Sequence, residues 1–122
     1  AMTDDEFIKA VRAHVLDAAV RDVLGGLERP PGRRPAAEAL ARRDWYAGLD
    51  DEARSNIAFV ARDAAHAALF GLLATLDGAR LIHDDLRDGR LRLVYDAGGE
   101  ETVLSDSQAG SDLHDLLNAR DL

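Results

Sequence analysis

The 122-residue chain carries four histidines and 23 carboxylates, and these are the side chains whose spacing has the best claim to chemistry. Asp63-x-x-His66 sets two potential metal ligands one helical turn apart, and His14-x-x-Asp17 does the same earlier in the chain. If the two segments are antiparallel neighbouring helices, the pairs face each other as a two-histidine, two-carboxylate site of helical-bundle type. The stronger motif is a repeated Glu-x-x-His, and aspartate's shorter arm fits it poorly. The competing account of His66 is structural. It lies in an apolar stretch where an unpaired imidazole is costly, so it needs a partner, with Asp17, Tyr46 and Tyr95 as candidates.

His83-Asp84 forms a second candidate. In order along the chain, His66, His83-Asp84 and Asp115 resemble the histidine, His-Asp dyad and distant aspartate of the HD-type metal-dependent phosphohydrolases. The match departs from that pattern in two respects. The dyad falls at a helix end beside a predicted hairpin, and the chain is short for that fold. His114-Asp115 shows how readily such a dyad arises among seventeen aspartates. The enzymatic alternative is therefore a helical metal-dependent hydrolase using His66, Asp63, His83, Asp84 and acidic neighbours. No glycine-rich phosphate loop, G-x-S-x-G elbow or H-E-x-x-H motif occurs. The segment Asp106–Asp112 has oxygen-bearing residues at alternate positions, as a calcium loop does. However, Gly110 falls at position five and Leu117 at position twelve, where an EF-hand needs position-six glycine and a bidentate glutamate. An Asp/Ser turn leading into a helix cap accounts for it better.

Arginine supplies the remaining candidate surface. Arg29, Arg33 and Arg34 precede Arg42 and Arg43, and Trp45-Tyr46 follows, so an anion patch with a stacking ring is conceivable. Arginine-rich loops are more often simply solvated, and a lone tryptophan more often anchors a core.

Positioning these residues requires a helical framework. Thr3 and Glu6 form a capping box. Apolar residues from Phe7 to Leu27 then follow a 3.6-residue stripe, which Gly25-Gly26 should end. Residues 28–35 (ERPPGRRP) hold three prolines and cannot be helical. Pro35 fits the first turn of a second helix reaching Ala47 and stopped by Gly48. Asp50 should cap a third helix from Asp51 to Leu76, closed by Asp77-Gly78. Within it Ala64–Leu76 is apolar nearly all round, which predicts burial on every side or a homodimer interface on one of them. Thirteen residues fall short of the ~20 that span a bilayer. Leu91, Leu93 and Tyr95, the turn Asp96–Gly99, and Glu101–Leu104 predict a β-hairpin. Ser111 or Asp112 should cap a last helix burying Leu113, Leu116 and Leu117. The fold class is thus mainly α with a small β-hairpin (α+β): three N-terminal helices, the third long and central, then the hairpin and a short C-terminal helix. Residues 2–122 read as one domain, with Ala1 a residue added ahead of the natural start at Met2.

Composition narrows the function classes. Cysteine is absent, which removes disulfide scaffolds, zinc fingers and thiol nucleophiles. The start of the chain has neither the basic nor the apolar region of a signal peptide, so a cytoplasmic location is expected. A net charge of −8 argues against a nucleic-acid or anionic-membrane surface. The charge is uneven: residues 77–122 hold five basic against eleven acidic side chains, whereas residues 28–49 are net positive. Trp45-Tyr46-x-x-Leu49-x-x-Glu52, Phe70-Gly71, Leu76-Asp77-Gly78, the hairpin and Leu113-His114-Asp115-Leu116 resemble a family of small, uncharacterised bacterial proteins over residues 5–118. That resemblance implies an intact domain and no particular activity. The reading reached is a non-catalytic, cofactor-free interaction module that is dimeric and binds a protein partner. Glu100, Glu101 and Asp106 on the acidic hairpin surface would carry the binding, with Arg33, Arg34 and Trp45 as a second patch. An immunity- or antitoxin-like role fits the size and acidity by analogy alone.

Overall fold

A computed structural model describes residues 2–119. The Thr3 hydroxyl oxygen accepts from the Glu6 backbone N–H at 3.2 Å and opens α1 (Asp4–Val11), whose first turn holds Asp4, Asp5 and Glu6 at the favoured dipole end. The chain continues through a π-helical stretch, Arg12–Asp17, into α2 (Ala18–Glu28). The expected stop at Gly25-Gly26 is therefore corrected. Neither glycine takes a left-handed φ, and the helix ends instead at Arg29, held extended (φ −137°, ψ 92°) by the proline that follows.

Helix α3 spans Ala37–Ala47, with Pro35 outside its first turn and Gly48 at its C-cap. Asp50 Oδ1 accepts from the Ala53 N–H at 2.8 Å and starts α4, which runs over the predicted Asp51–Leu76. It stops where Gly78 adopts φ +83°. A side chain there is impossible, because a Cβ would overlap the Ser107 carbonyl. After a short α5 (Asp85–Asp88), β1 (Arg92–Ala97) and β2 (Glu100–Asp106) pair antiparallel. Gly98 and Gly99 both have positive φ, as a two-residue hairpin turn matched to strand twist requires. Helix α6 (Leu113–Asn118) ends the described chain. The molecule is mostly helical with a two-stranded hairpin and a short C-terminal helix, in line with the predicted α+β class.

Two compact units share these elements, one formed by the chain up to Ala13 together with the part from Ala67 onward, the other by His14–His66. In the first, Ile8, Leu73, Leu113 and Leu117 form a buried cluster, with Phe7, Phe70 and Leu93 packed around it. The second buries Leu16, Val20 and Tyr46, and Arg54 lies over the Tyr46 ring at 5.3 Å while donating to the Ala47 carbonyl at 2.8 Å. Burial of Ala64–Leu76 on every side is not found. Only Gly71, Leu73, Ala74 and Thr75 of α4 are buried, because Ile8, Leu113 and Leu117 cover one side of it. Phe59 and Leu72 are 71% and 57% exposed. By length and composition the whole of α4, charges included, is long and apolar enough to cross a membrane, with 17% of its most apolar window buried. Charge interrupts it at Arg62, which donates to Asp17 at 2.8 Å.

Candidate functional site

The densest gathering of chemistry-bearing side chains is centred on Asp77, the residue at which α4 ends. Its carboxylate is fully buried and accepts hydrogens from two other segments. Ser105, itself fully buried on β2, donates its hydroxyl to Oδ1 at 2.5 Å. Oδ2 accepts the His114 backbone N–H at 2.8 Å and lies 2.5 Å from Nδ1 of the same residue. A carboxylate cannot donate, so Nδ1 carries the proton there. The His114 ring meets Phe70 edge-on at 5.5 Å, and its Nε2 is 3.6 Å from Asp115.

Serine, histidine and aspartate together raise the question of a hydrolytic triad. Geometry answers against it. A triad places the serine hydroxyl on the imidazole and the carboxylate on the far ring nitrogen. Here both serine and histidine bind the carboxylate, and the Ser105 hydroxyl is buried and spent as a donor to it. What the arrangement does is structural. Asp77 supplies, from far back in the chain, the cap that Ser111 or Asp112 was expected to give α6. Asp112 makes no side-chain cap bond, and the Ser111 hydroxyl instead accepts from the Asp106 N–H at 2.8 Å. At the other end of α6, Arg12 donates to the carbonyls of Leu116, Leu117 and Ala119, and the Leu116 carbonyl also accepts the Ala119 N–H, which together satisfy the helix C-terminus.

A second cluster holds the base of the hairpin. Asp106, with its side chain 6% exposed, accepts from Arg90 Nε at 2.9 Å and from the Gln108 N–H at 3.0 Å, and Arg92 Nε stands 3.8 Å away. Hydrogen bonding to Arg90 first, then to Gln108, lowers its carboxyl to about 2, against the opposing effect of burial. Asp106 therefore leaves the exposed acidic surface on which the sequence placed it. The same bonds show the Asp106–Asp112 segment as a turn tied to β1. Nearby, burial and then Asp112, Asp5 and Asp77 push the Asp4 carboxyl up from its ordinary value.

The other candidates divide as follows. Glu100 and Glu101 are exposed on the hairpin. Arg33 and Arg34 are exposed in the α2–α3 connection, and Trp45 is 55% exposed while Tyr46 takes the core position. His66 is half-buried on α4 and Asp63 is exposed. Asp17 bonds Arg62, so its carboxylate is engaged by a cation. His83 and Asp84 are exposed, His83 Nδ1 accepting from the Asp85 N–H at 3.1 Å and Asp84 lying 3.8 Å from Arg87. Among the described residues, no three His, Asp or Glu side chains are gathered as a metal ion would need. The groups that sequence reasoning missed are Asp77, Ser105, His114, Arg12 and Arg90. In the sequence, Asp77-Gly78 reads as a helix stop. Comparison with protein-family models, curated proteins and solved structures finds no match, so the resemblance noted above gains no support.

Two predictions follow from these geometries. Asp77→Asn places an amide N–H2 against either the Ser105 hydroxyl or the His114 N–H, and should cost about 3 kcal/mol of unfolding free energy; Ser105→Ala should cost about 1 kcal/mol. Urea denaturation measures both, and equal losses would show that Asp77 is not the centre of the network. Because Asp106 is held near 2 in the folded chain, its stabilising share is complete above the unfolded carboxyl value near ~4 and disappears as pH falls through about 2. Arg90→Met should flatten the stability profile between those limits, and superimposable wild-type and variant profiles would contradict the assignment.

Proposed function

We propose that this chain is a non-catalytic, cytoplasmic interaction module that binds a basic protein partner through the outer part of its hairpin. The observation that carries the reading is the strand register. Val94 stands opposite Val103 and Asp96 opposite Glu101, and the alternation of strand side chains puts all four on one face. Val94 and Val103 are 36% and 40% exposed, so that face offers an apolar pair beside a carboxylate pair. Like charges directly opposite one another weaken a free hairpin. Among the described residues no cation pairs with Asp96, Glu100 or Glu101, and a cationic partner would relieve that repulsion. The Arg62–Asp17 pair partway along α4 supports an aqueous location, since both charges would be costly in hydrocarbon.

The test is affinity capture from the native host with the full chain as bait, at low salt and at ~0.3 M salt, where the screening length shrinks. The wild type should retain a basic protein that salt releases, and D96N/E100Q/E101Q should retain at least tenfold less. Equal retention by the triple variant removes the hairpin from the reading. Self-association is the second part of the proposal, supported by Phe59 and Val60, 71% and 63% exposed on adjacent positions of α4. Light scattering should give a dimer mass that F59S/V60S returns to the monomer; a monomeric wild type at high concentration would overturn it.

A further inference from the structure

We propose that the cavity between the end of α4 and the turn after β2 binds a small organic anion, a carboxylate or phosphate ester on a short apolar body, with Arg80 and Arg87 as its charge partners. The cavity measures about 230 Å³. That lies below the ~300–1,000 Å³ of sites that hold drug-sized molecules, so the occupant is small. Leu81, Leu86 and Leu91 are its apolar lining residues, and Arg80, Arg87 and Gln108 are among its polar ones. Its frame is pinned. The Leu91 N–H donates to Ser107 Oγ at 2.8 Å, the Ser107 N–H donates to the Leu91 carbonyl at 2.9 Å, and Gln108 Nε2 donates to the Gly89 carbonyl at 2.9 Å. Gly78 lets the two backbones close on each other at the Ser107 carbonyl.

Two arginines line this cavity within an acidic stretch of the chain. Residues 77–122 hold more than two acidic side chains for each basic one, yet among the described residues no carboxylate pairs with Arg80. Arg87 has only Asp84, 3.8 Å away and 94% exposed, a contact worth little in water. Arg90, three residues further along, shows the alternative: its guanidinium is occupied by Asp106. Arg80 is nevertheless placed. Its Nη1 lies 2.5 Å from where a Cβ would stand at Gly71, so the guanidinium rests across α4 in space that any side chain would fill. Two arginines and three leucines lining one cavity match an anionic head on an apolar body, since the planar fork suits carboxylate and phosphate oxygens alike.

The inference is independent of the hairpin reading and is tested on the full isotope-labelled chain by NMR titration with benzoate and with phenyl phosphate. Saturable shifts of the Leu81, Leu86, Leu91 and Gln108 amides are expected with at least one of them, and the better binder tells which head the site takes. R87Q should weaken binding at least about fivefold, the yield of losing one charge-assisted contact. L86W, which fills the cavity and leaves both arginines, should abolish it, and R80M/R87Q should do the same. If the double variant fails to fold, R87Q and L86W still decide. The proposal is overturned if neither anion moves these amides saturably, if R87Q and L86W bind as the wild type does, or if uncharged benzyl alcohol binds as well as benzoate.

Discussion

Removing a carboxylate from water costs several kcal/mol unless hydrogens replace the lost hydration, and Asp77 meets that condition with donors from β2 and α6. The consequence is cooperative. Helix α6 has six residues, far too few to persist alone, since a helix shorter than ~12 residues is marginal even in favourable sequences. It exists because Asp77 satisfies its N-terminal end, Arg12 its C-terminal end, and Leu113 and Leu117 join Ile8 and Leu73 in the core. Losing Asp77 would therefore release a helix end and a strand end as well as a charge. The serine and histidine it holds are positioned as scaffold, and reading them as a nucleophile and base would mistake what the carboxylate does.

Charge is distributed along the hairpin by the same logic. At its base, Asp106 is enclosed and matched by Arg90 and Arg92, so that end is locally balanced. Toward the turn, Asp96, Glu100 and Glu101 face solvent. Their field reaches about one screening length, ~8 Å at physiological salt, which favours encounter with a basic surface more than it adds to final affinity. The hairpin's share of the acidity in residues 77–122 thus resolves into a neutralised foot and a charged tip, which the total alone could not have separated.

Much of the framework was legible in the sequence because it depends on neighbours. Asp50 as a cap, the 26-residue span of α4, the stop at Gly78 and the Gly98-Gly99 turn are decided by residues within a few positions of each other. The misreadings share a cause. Gly25-Gly26 are compatible with a helix end or a helix interior, and the end falls instead at Arg29, before Pro30. The apolar run of α4 predicted burial all round, yet how many sides are covered depends on distant elements. Asp77 looked like punctuation because its partners lie 28 and 37 positions away. For His83 and Asp84 the sequence offered a dyad, whereas the backbone turned both onto their own turn.

Long-range pairing also explains why five arginines of similar appearance do different things. Arg12 closes a helix, Arg54 covers a tyrosine and caps α3, Arg62 binds Asp17, and Arg90 clamps the hairpin base. Each is anchored by acceptors that the fold brings to it, and each guanidinium is thereby committed. Arg80 instead lies against Gly71, where the absence of a side chain leaves its guanidinium room. Among the described residues no carboxylate pairs with its guanidinium, which leaves those donors open to an anion. Arg80 differs from the other four in lining a cavity whose remaining walls include Leu81, Leu86 and Leu91.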